Sequence, residues 1–213
     1  MPTVELLDSM GDDVSVVNAA RVSYGKSVVH LGESGKRLIA YLAAHQHWTP
    51  FAHVIATLRI TCNLAVAAQL KRHQVGLAVN EVSRRYVDTP PVTDVPTVWR
   101  GKSDTRKQGS GNPLPEPMQL CVATMVQRQL DSALQAYQDL LDAGVAPEMA
   151  RFVLPLATVT EYIWTGSLAA FARVCNLRLA EDAQPETTAI AAGISDIMAG
   201  IAPVSWAALL GTN

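Results

Sequence analysis

The stretch Val54 to Cys62 alternates without a fault. Val54, Ala56, Leu58, Ile60 and Cys62 fall on one side, and Ile55, Thr57, Arg59 and Thr61 on the other. Successive side chains of a strand point to opposite faces, so this spacing predicts a strand with one face in the core. An apolar run, Leu64 to Leu70, follows at once and reads as a helix.

The residues after that run are of a different kind. From Gln69 to Tyr86 the chain reads Gln-Leu-Lys-Arg-His-Gln-Val-Gly-Leu-Ala-Val-Asn-Glu-Val-Ser-Arg-Arg-Tyr. Residues three and four apart share a helix face, so Gln69, Arg72 and His73 are expected to project together. Gly76 breaks the periodicity as a turn or cap would. Asn80, Glu81, Ser83, Arg84, Arg85 and Tyr86 then follow with only Val82 between them. Two readings stand. One is a solvated helix end whose arginines serve solubility. The other is a site for an anion and a heterocycle. Arg offers a planar fork of donors for phosphate or a pyrimidine edge, and Gln, Asn, Ser and Tyr fix orientation by hydrogen bonds.

Length and charge bound these readings. The 213 residues suffice for one domain with a sizeable core. A hydrophobic content of 49% with 17% charged residues excludes a disordered or supercharged chain. The net charge of −2 excludes an electrostatic nucleic-acid binder, so any basic site is local. Eight Lys or Arg against four acids between Lys71 and Lys107 supply such a local excess, which suits an anionic ligand or a solvated loop. Cys62, Cys121 and Cys175 are odd in number and widely spaced, which argues against a disulfide framework or a zinc ribbon. All three lie in apolar company and are expected to be buried packing. No signal peptide and no run long enough to span a membrane is expected, so a reduced cytoplasm is the default.

Along the chain, Val4 to Leu7 is a short expected strand, and Asp13 is a candidate cap for a helix from about Val14 to Ala20. Lys36 to His45 reads as a helix. His45, His47 and His53 lie within nine residues and invite a metal reading, but no carboxylate or Cys interleaves and Pro50 interrupts helical spacing. The alternative is a helix-to-strand corner with Trp48 and Phe51 as core anchors. From Val87 to Pro117 the pattern dissolves into a basic stretch rich in proline and glycine. Trp99-Arg100-Gly101-Lys102 and Lys107-Gln108-Gly109-Ser110 are candidates for ordering on a ligand or a neighbouring subunit, and the alternative is a solvated loop. Met118 to Ala143 reads as a long helix with Leu120, Met125, Leu130, Leu134, Tyr137 and Leu141 on its apolar face. Pro147 opens a short helix through Arg151. Leu156 to Trp164 has strand composition. Leu168, Phe171, Ala172 and Cys175 then mark the core face of a helix, with Arg173 and Asn176 off it. Ala189 to Ala202 is a small-residue helix in which Gly193 and Gly200 permit close helix approach, and Pro203 opens a last helix holding Trp206.

Five short stretches, taken in order, resemble the flavin-dependent thymidylate synthases, ThyX. They are Arg21-Val22-Ser23; His47-Trp48-Thr49-Pro50-Phe51-Ala52-His53; Arg72-His73-Gln74 with Asn80 to Tyr86; Ala150 to Pro155; and Asn176-Leu177-Arg178 with Ala183-Gln184-Pro185-Glu186. The family signature is Arg-His-Arg, seven residues, then Ser. Here Gln74 replaces the second Arg, and eight residues precede Ser83. Ala52 stands where the family has an acid, Asp182 where a His is common, and Ser167 and Arg173 where Asn is common.

The resemblance implies an α+β fold over the whole of residues 1–213, with mixed helices around an antiparallel sheet. It also implies a homotetramer with active sites shared between subunits. The implied chemistry is reductive methylation of dUMP to dTMP, with 5,10-methylenetetrahydrofolate giving the carbon and NADPH reducing FAD. Gln69, Arg72, Ser83, Arg84, Arg85, Arg151 and Arg178 would surround dUMP, and Arg178 would polarise the uracil ring. Ser23, His47, Thr49, Arg72, His73, Gln74, Glu81, Ser167 and Arg173 would lie near FAD. Ser83 lacks a His/Asp relay in sequence and reads as a hydrogen-bonding residue rather than a nucleophile. An ordinary ion pair of Arg178 with Glu181 or Asp182 is the competing role for that residue. A dUMP hydroxymethylase on the same fold, or an inactive nucleotide- or RNA-binding homologue, are the alternative functions.

Overall fold

The computed structural model describes residues 2–103 and 109–211. The expected strand at the start runs as β1 (Thr3–Met10) and is followed by α1 (Asp13–Arg21). The cap of α1 is Asp12, not Asp13: its carboxylate accepts from Ser15 N–H at 2.9 Å, while Ser15 Oγ accepts from the Asp12 N–H at 3.1 Å. This reciprocal box leaves the Asp13 side chain to turn inward. Then come α2 (Glu33–Ala44) and a 3₁₀ turn (Thr49–His53) that makes the helix-to-strand corner. Phe51 is fully buried at that corner, but Trp48 is 58% exposed and does not anchor the core.

The faultless alternation forms β2 (Ile55–Asn63), and Val54, Ala56, Leu58, Ile60 and Cys62 are all buried as the spacing requires. It passes directly into α3 (Leu64–Leu70). The helix stops there, so Gln69, Arg72 and His73 do not share a helix face. His73 N–H returns to the Leu70 carbonyl at 3.0 Å, and the chain turns toward β3 (Leu77–Glu81).

The proline-rich stretch is not patternless. It holds β4 (Arg100–Lys102) and β5 (Ser110–Pro113), paired antiparallel, and Thr93 bridges to Thr158. Gln119 stitches it down, donating to the carbonyls of Trp99 and Leu114 and accepting from Trp99 N–H. Lys107 and Gln108 lie outside the described residues.

The long helix is α4 (Glu116–Asp142). Leu130 and Tyr137 of its apolar face are buried, but Leu120 and Met125 are 73% and 65% exposed, and Cys121 is exposed as well. The short helix α5 (Pro147–Ala150) leads through a 3₁₀ turn (Arg151–Val153) to β6 (Val159–Ser167). Three helices close the chain: α6 (Leu168–Arg178), α7 (Pro185–Ile201) and α8 (Pro203–Leu210). Gly193 approaches a strand rather than a helix, since a Cβ there would lie 3.1 Å from the side chain of Val4.

The main sheet has the order β1-β2-β6-β3, so the fold is a mixture of helices and antiparallel sheet. Its two central strands pair in descending order. Leu168 N–H donates to the Val54 carbonyl at 2.8 Å, the hydroxyls of Thr57 and Thr165 meet at 3.1 Å, and Leu64 N–H donates to the Thr158 carbonyl at 2.9 Å. The residues group into two compact units. One comprises Thr61–Gln69 and Glu81–Glu161; the other comprises Pro2–Ile60, Leu70–Asn80 and the chain from Tyr162 onward. In the second unit α6 is the buried centre, with Leu168, Phe171, Ala172 and Cys175 enclosed as its spacing predicts.

Candidate active site

In the first unit a cleft of about 310 Å³ gathers residues from four separate segments. Leu64 opens α3, Glu81 ends β3 and Ser83 and Arg84 follow it, Arg151 comes from the turn after α5, and Thr158 and Thr160 lie just before and within β6. The gathering has a simple backbone cause. Val82 N–H donates to the Glu161 carbonyl at 2.9 Å, the last ladder bond before the chain leaves the sheet edge. Tyr86 N–H then closes a turn onto the Ser83 carbonyl at 3.0 Å, which holds Ser83 and Arg84 at the rim. Thr160 Oγ1 donates to Glu81 Oε1 at 3.0 Å and fixes that carboxylate. Arg84 Nη1 donates to the Thr89 carbonyl.

Arg85 lies beside this cleft rather than in its lining. Its Nε and Nη2 both reach Glu148 Oε2 at 3.2 Å, while Arg151 Nε donates to the Glu148 carbonyl at 3.3 Å. Glu148 thus steadies two arginines. The pair is half exposed, so it contributes little stability and yields readily to a stronger anion. Gln69, at the end of α3, carries a buried Oε1 with no hydrogen-bond partner. An orphaned acceptor of this kind costs roughly 1–3 kcal/mol until a donor meets it.

The second unit holds Arg72, His73, Arg173 and Arg178. The turn 71–76 is pinned onto α6 by two arginines of that helix. Arg173 Nη2 donates to the Val75 carbonyl at 2.7 Å, and Arg178 Nε donates to His73 Nε2 at 3.1 Å. Gly76, at φ +74°, sits against the start of α6, where a Cβ would lie 3.3 Å from Ala170 Cβ. The two demands together, left-handed backbone and close approach, explain a glycine at this position. Ser167 caps α6, its Oγ accepting from Ala170 N–H at 3.2 Å. Burial, together with Arg178 and Arg173 nearby, pushes the His73 pKa below its ordinary value. Burial, then the neighbouring charge of Arg72, lowers that of Arg178. Arg72, Arg173, Arg178 and a neutral His73 therefore form one positive centre, which attracts an anion and stabilises negative charge. Arg178 thus commits its Nε to His73 across the turn.

A second cleft in this unit, of about 360 Å³, is lined by His47, Trp48, Phe51, Arg173 and Asn176 among others. Gln46, also in its lining, adopts a left-handed φ of 56° to end α2. Ser23, Thr49 and Gln74 are exposed and line neither cleft. Among the described residues no three His, Cys, Asp or Glu groups are placed to hold a metal ion, and no helix is long and apolar enough to cross a membrane.

The sequence thus named Glu81, Ser83, Arg84 and Arg151, which share one cleft, and Arg72, His73, Arg173 and Arg178, which share one centre. Thr160 and Glu148 were missed. Thr160 carried a signal, since strand alternation sets it with buried Tyr162 and Trp164 on the inner face of β6. Glu148 carried none.

The family model for the thymidylate synthase complementing protein, Thy1, matches residues 5–204. The chain belongs to that family. It is 35% identical over 207 residues to the flavin-dependent thymidylate synthase of Thermosipho africanus, covering 97% of this chain and 90% of that one. With the Thermus thermophilus enzyme of the same name it shares 38% over 205 residues, 96% of this chain and 74% of the other. Among solved structures, the UMP/dUMP methylase PolB from Streptomyces cacaoi, bound with 5-Br dUMP, superposes with a TM-score of 0.89 at 29% identity, over 99% of this chain and 95% of that one. The five resembling stretches are therefore those of a true Thy1 member, including Gln74 where the signature has its second Arg.

Proposed function

We propose that the protein is a flavin-dependent thymidylate synthase that converts dUMP to dTMP, taking the carbon from 5,10-methylenetetrahydrofolate and electrons from NADPH through FAD. The observation that carries this reading is the convergence of Ser83 and Arg84 with Arg151, distant in sequence, on one cleft of nucleotide size. Membership of Thy1 and the names of the relatives supply the reaction class.

Nucleotide binding needs donors for phosphate and a clamp for the base. Arg84, Arg151 and Ser83 supply the first, with Arg85 joining once a phosphate replaces Glu148. Gln69 offers its unpartnered Oε1 to a donor. Uracil C5 is a poor nucleophile. A guanidinium at the ring's N3 and O2 stabilises the ionised, electron-rich form, and Arg178 holds its charge at any working pH. Arg72 shares the nucleotide's charge.

The residues of the second unit fit a flavin. His47, Trp48 and Phe51 give one cleft an aromatic lining, and Arg173 adds a cation for a phosphate or a ring oxygen. With Arg72, His73, Gln74, Ser167, Ser23 and Thr49 they are the proposed FAD residues of this unit, and Glu81, which lines the cleft of the first unit, is proposed for FAD from the family resemblance. When bound, FAD supplies the hydride chemistry that no protein side chain provides.

The same reading makes the protein a cytoplasmic homotetramer in which subunits share active sites. Leu120 and Met125 on α4 and Phe152, at 77% exposure, leave an apolar surface of the kind an assembly covers. The thiols of Cys121 and Cys175 suit a reducing compartment. A test needs the absorbance spectrum of purified protein, anaerobic NADPH, and then the mass of the product from dUMP and from UMP. UMP belongs in the assay because PolB is described as a UMP/dUMP methylase. A flavin spectrum bleached by NADPH, with dTMP as product, is expected. Hydroxymethyl-dUMP would replace the reading by the hydroxymethylase, and absence of both flavin and turnover would sink it.

A further inference from the structure

We propose that His73 is a positioning residue: its neutral Nε2 grips Arg178 by Nε and so presents the terminal Nη pair of that guanidinium to the uracil ring. The inference rests on the nucleotide reading above and deepens it.

Donors and acceptors fix the protonation state of His73. A guanidinium has only N–H donors. The 3.1 Å separation of Arg178 Nε from His73 Nε2 is therefore a hydrogen bond only if Nε2 carries a lone pair. His73 must be neutral, with its proton on Nδ1. The surroundings enforce this. Arg173 and Arg178 face the ring from α6, Arg72 is its neighbour in the turn, and the imidazole is partly buried. Burial first, then the positive charges of Arg178 and Arg173, disfavour an imidazolium.

The bond also selects an edge. Arg can present either its Nε–Nη side or its Nη–Nη end to a planar ligand. With Nε committed to His73, the end remains, and two parallel N–H groups match N3 and O2 of an ionised uracil. The ring that makes the selection is itself fixed, because the turn carrying it is tied to α6 through Arg173 and the Val75 carbonyl at 2.7 Å. Arg178 is anchored at its other end, where Thr188 Oγ1 donates to its carbonyl at 3.0 Å.

This arrangement works only while Nε2 can accept. Protonation turns the acceptor into a donor facing a cation, and Arg178 is released. Because the surroundings depress the His73 pKa, the release falls on the acid side of the ordinary histidine value of roughly 6.5. Above it the grip is intact; as pH falls through the depressed value it is lost.

Gln places an amide oxygen where the imidazole has Nε2 and does not titrate. His73→Gln should lose the acid limb of the rate profile. His73→Leu should lower dUMP affinity about tenfold or more, the size of a charge-assisted hydrogen bond. An acid limb unchanged in His73→Gln, or wild-type dUMP affinity in His73→Leu, overturns the proposal. A readout independent of turnover separates this from a failed function. In the full chain labelled with ¹⁵N-histidine, the signals lost in His73→Gln identify the residue. Nδ1–H with unprotonated Nε2 at pH 7 is expected, and an Nε2–H tautomer or an imidazolium refutes the grip even if the protein makes no dTMP.

Discussion

Asp13 Oδ1 accepts a hydrogen bond from the backbone N–H of Ser205 at 2.7 Å, so a carboxylate from the first helix caps the last one. Its Oδ2 takes the Val204 N–H at 3.0 Å as well. Asp13 is buried, and so is Ser205. The two amides belong to the first turn of α8, where backbone N–H groups have no partner within the helix.

Asp13→Ala leaves both amides unsatisfied in a dry place. A loss of about 2 kcal/mol is expected, the sum of a missing cap and buried donors. Urea unfolding measures it. A midpoint within error of the parent would show that α8 does not depend on this carboxylate.

Arg178→Lys removes the fork and keeps the charge. FAD binding should persist while dTMP formation falls roughly a hundredfold, as when a transition-state donor is lost. NADPH oxidation and dTMP formation, followed separately, decide the matter. Near-parental dTMP formation would return Arg178 to an ordinary surface ion pair.

Gly76→Ala tests the turn that carries His73. Strain at φ +74° and the 3.3 Å approach to Ala170 act together. A stability loss of about 1–2 kcal/mol is expected, with a larger fall in dUMP affinity than in FAD affinity. Equal losses of both would mean that the turn serves only folding.

No cysteine should be catalytic. Burial pushes the Cys175 thiol up to about 12, so it carries no thiolate at working pH. Cys62 is buried, while Cys121 is exposed on α4. Alanine at each position should leave kcat within about twofold, with at most a packing loss of roughly 1 kcal/mol at the buried pair. Loss of turnover in a folded variant would overturn the flavin-dependent reading.

Leu120→Asp probes the exposed half of α4. A charge set on the apolar face that the proposed tetramer would cover disfavours assembly. Sedimentation should show a smaller species than the parent. An unchanged oligomer would place the subunit contacts elsewhere.

The sequence by itself determined the periodic elements. Alternation from Val54 to Cys62 and the spacing of Leu168, Phe171, Ala172 and Cys175 are local patterns, and local patterns survive into the fold because burial acts on each face as a whole. It also carried enough residues in order to mark the family and to name most members of both site clusters. Tertiary structure alone decided what those residues touch. Whether Asp12 or Asp13 caps α1 turned on where Val204 and Ser205 lie, nearly the whole chain away. Whether Trp48, Leu120 and Cys121 are core could not be read from their apolar neighbours, since exposure depends on what packs against a face. That Arg178 meets His73, 105 residues away in sequence, is the same case. Hydrogen bonds between distant residues are set by the packing of whole elements, and no spacing along the chain encodes it.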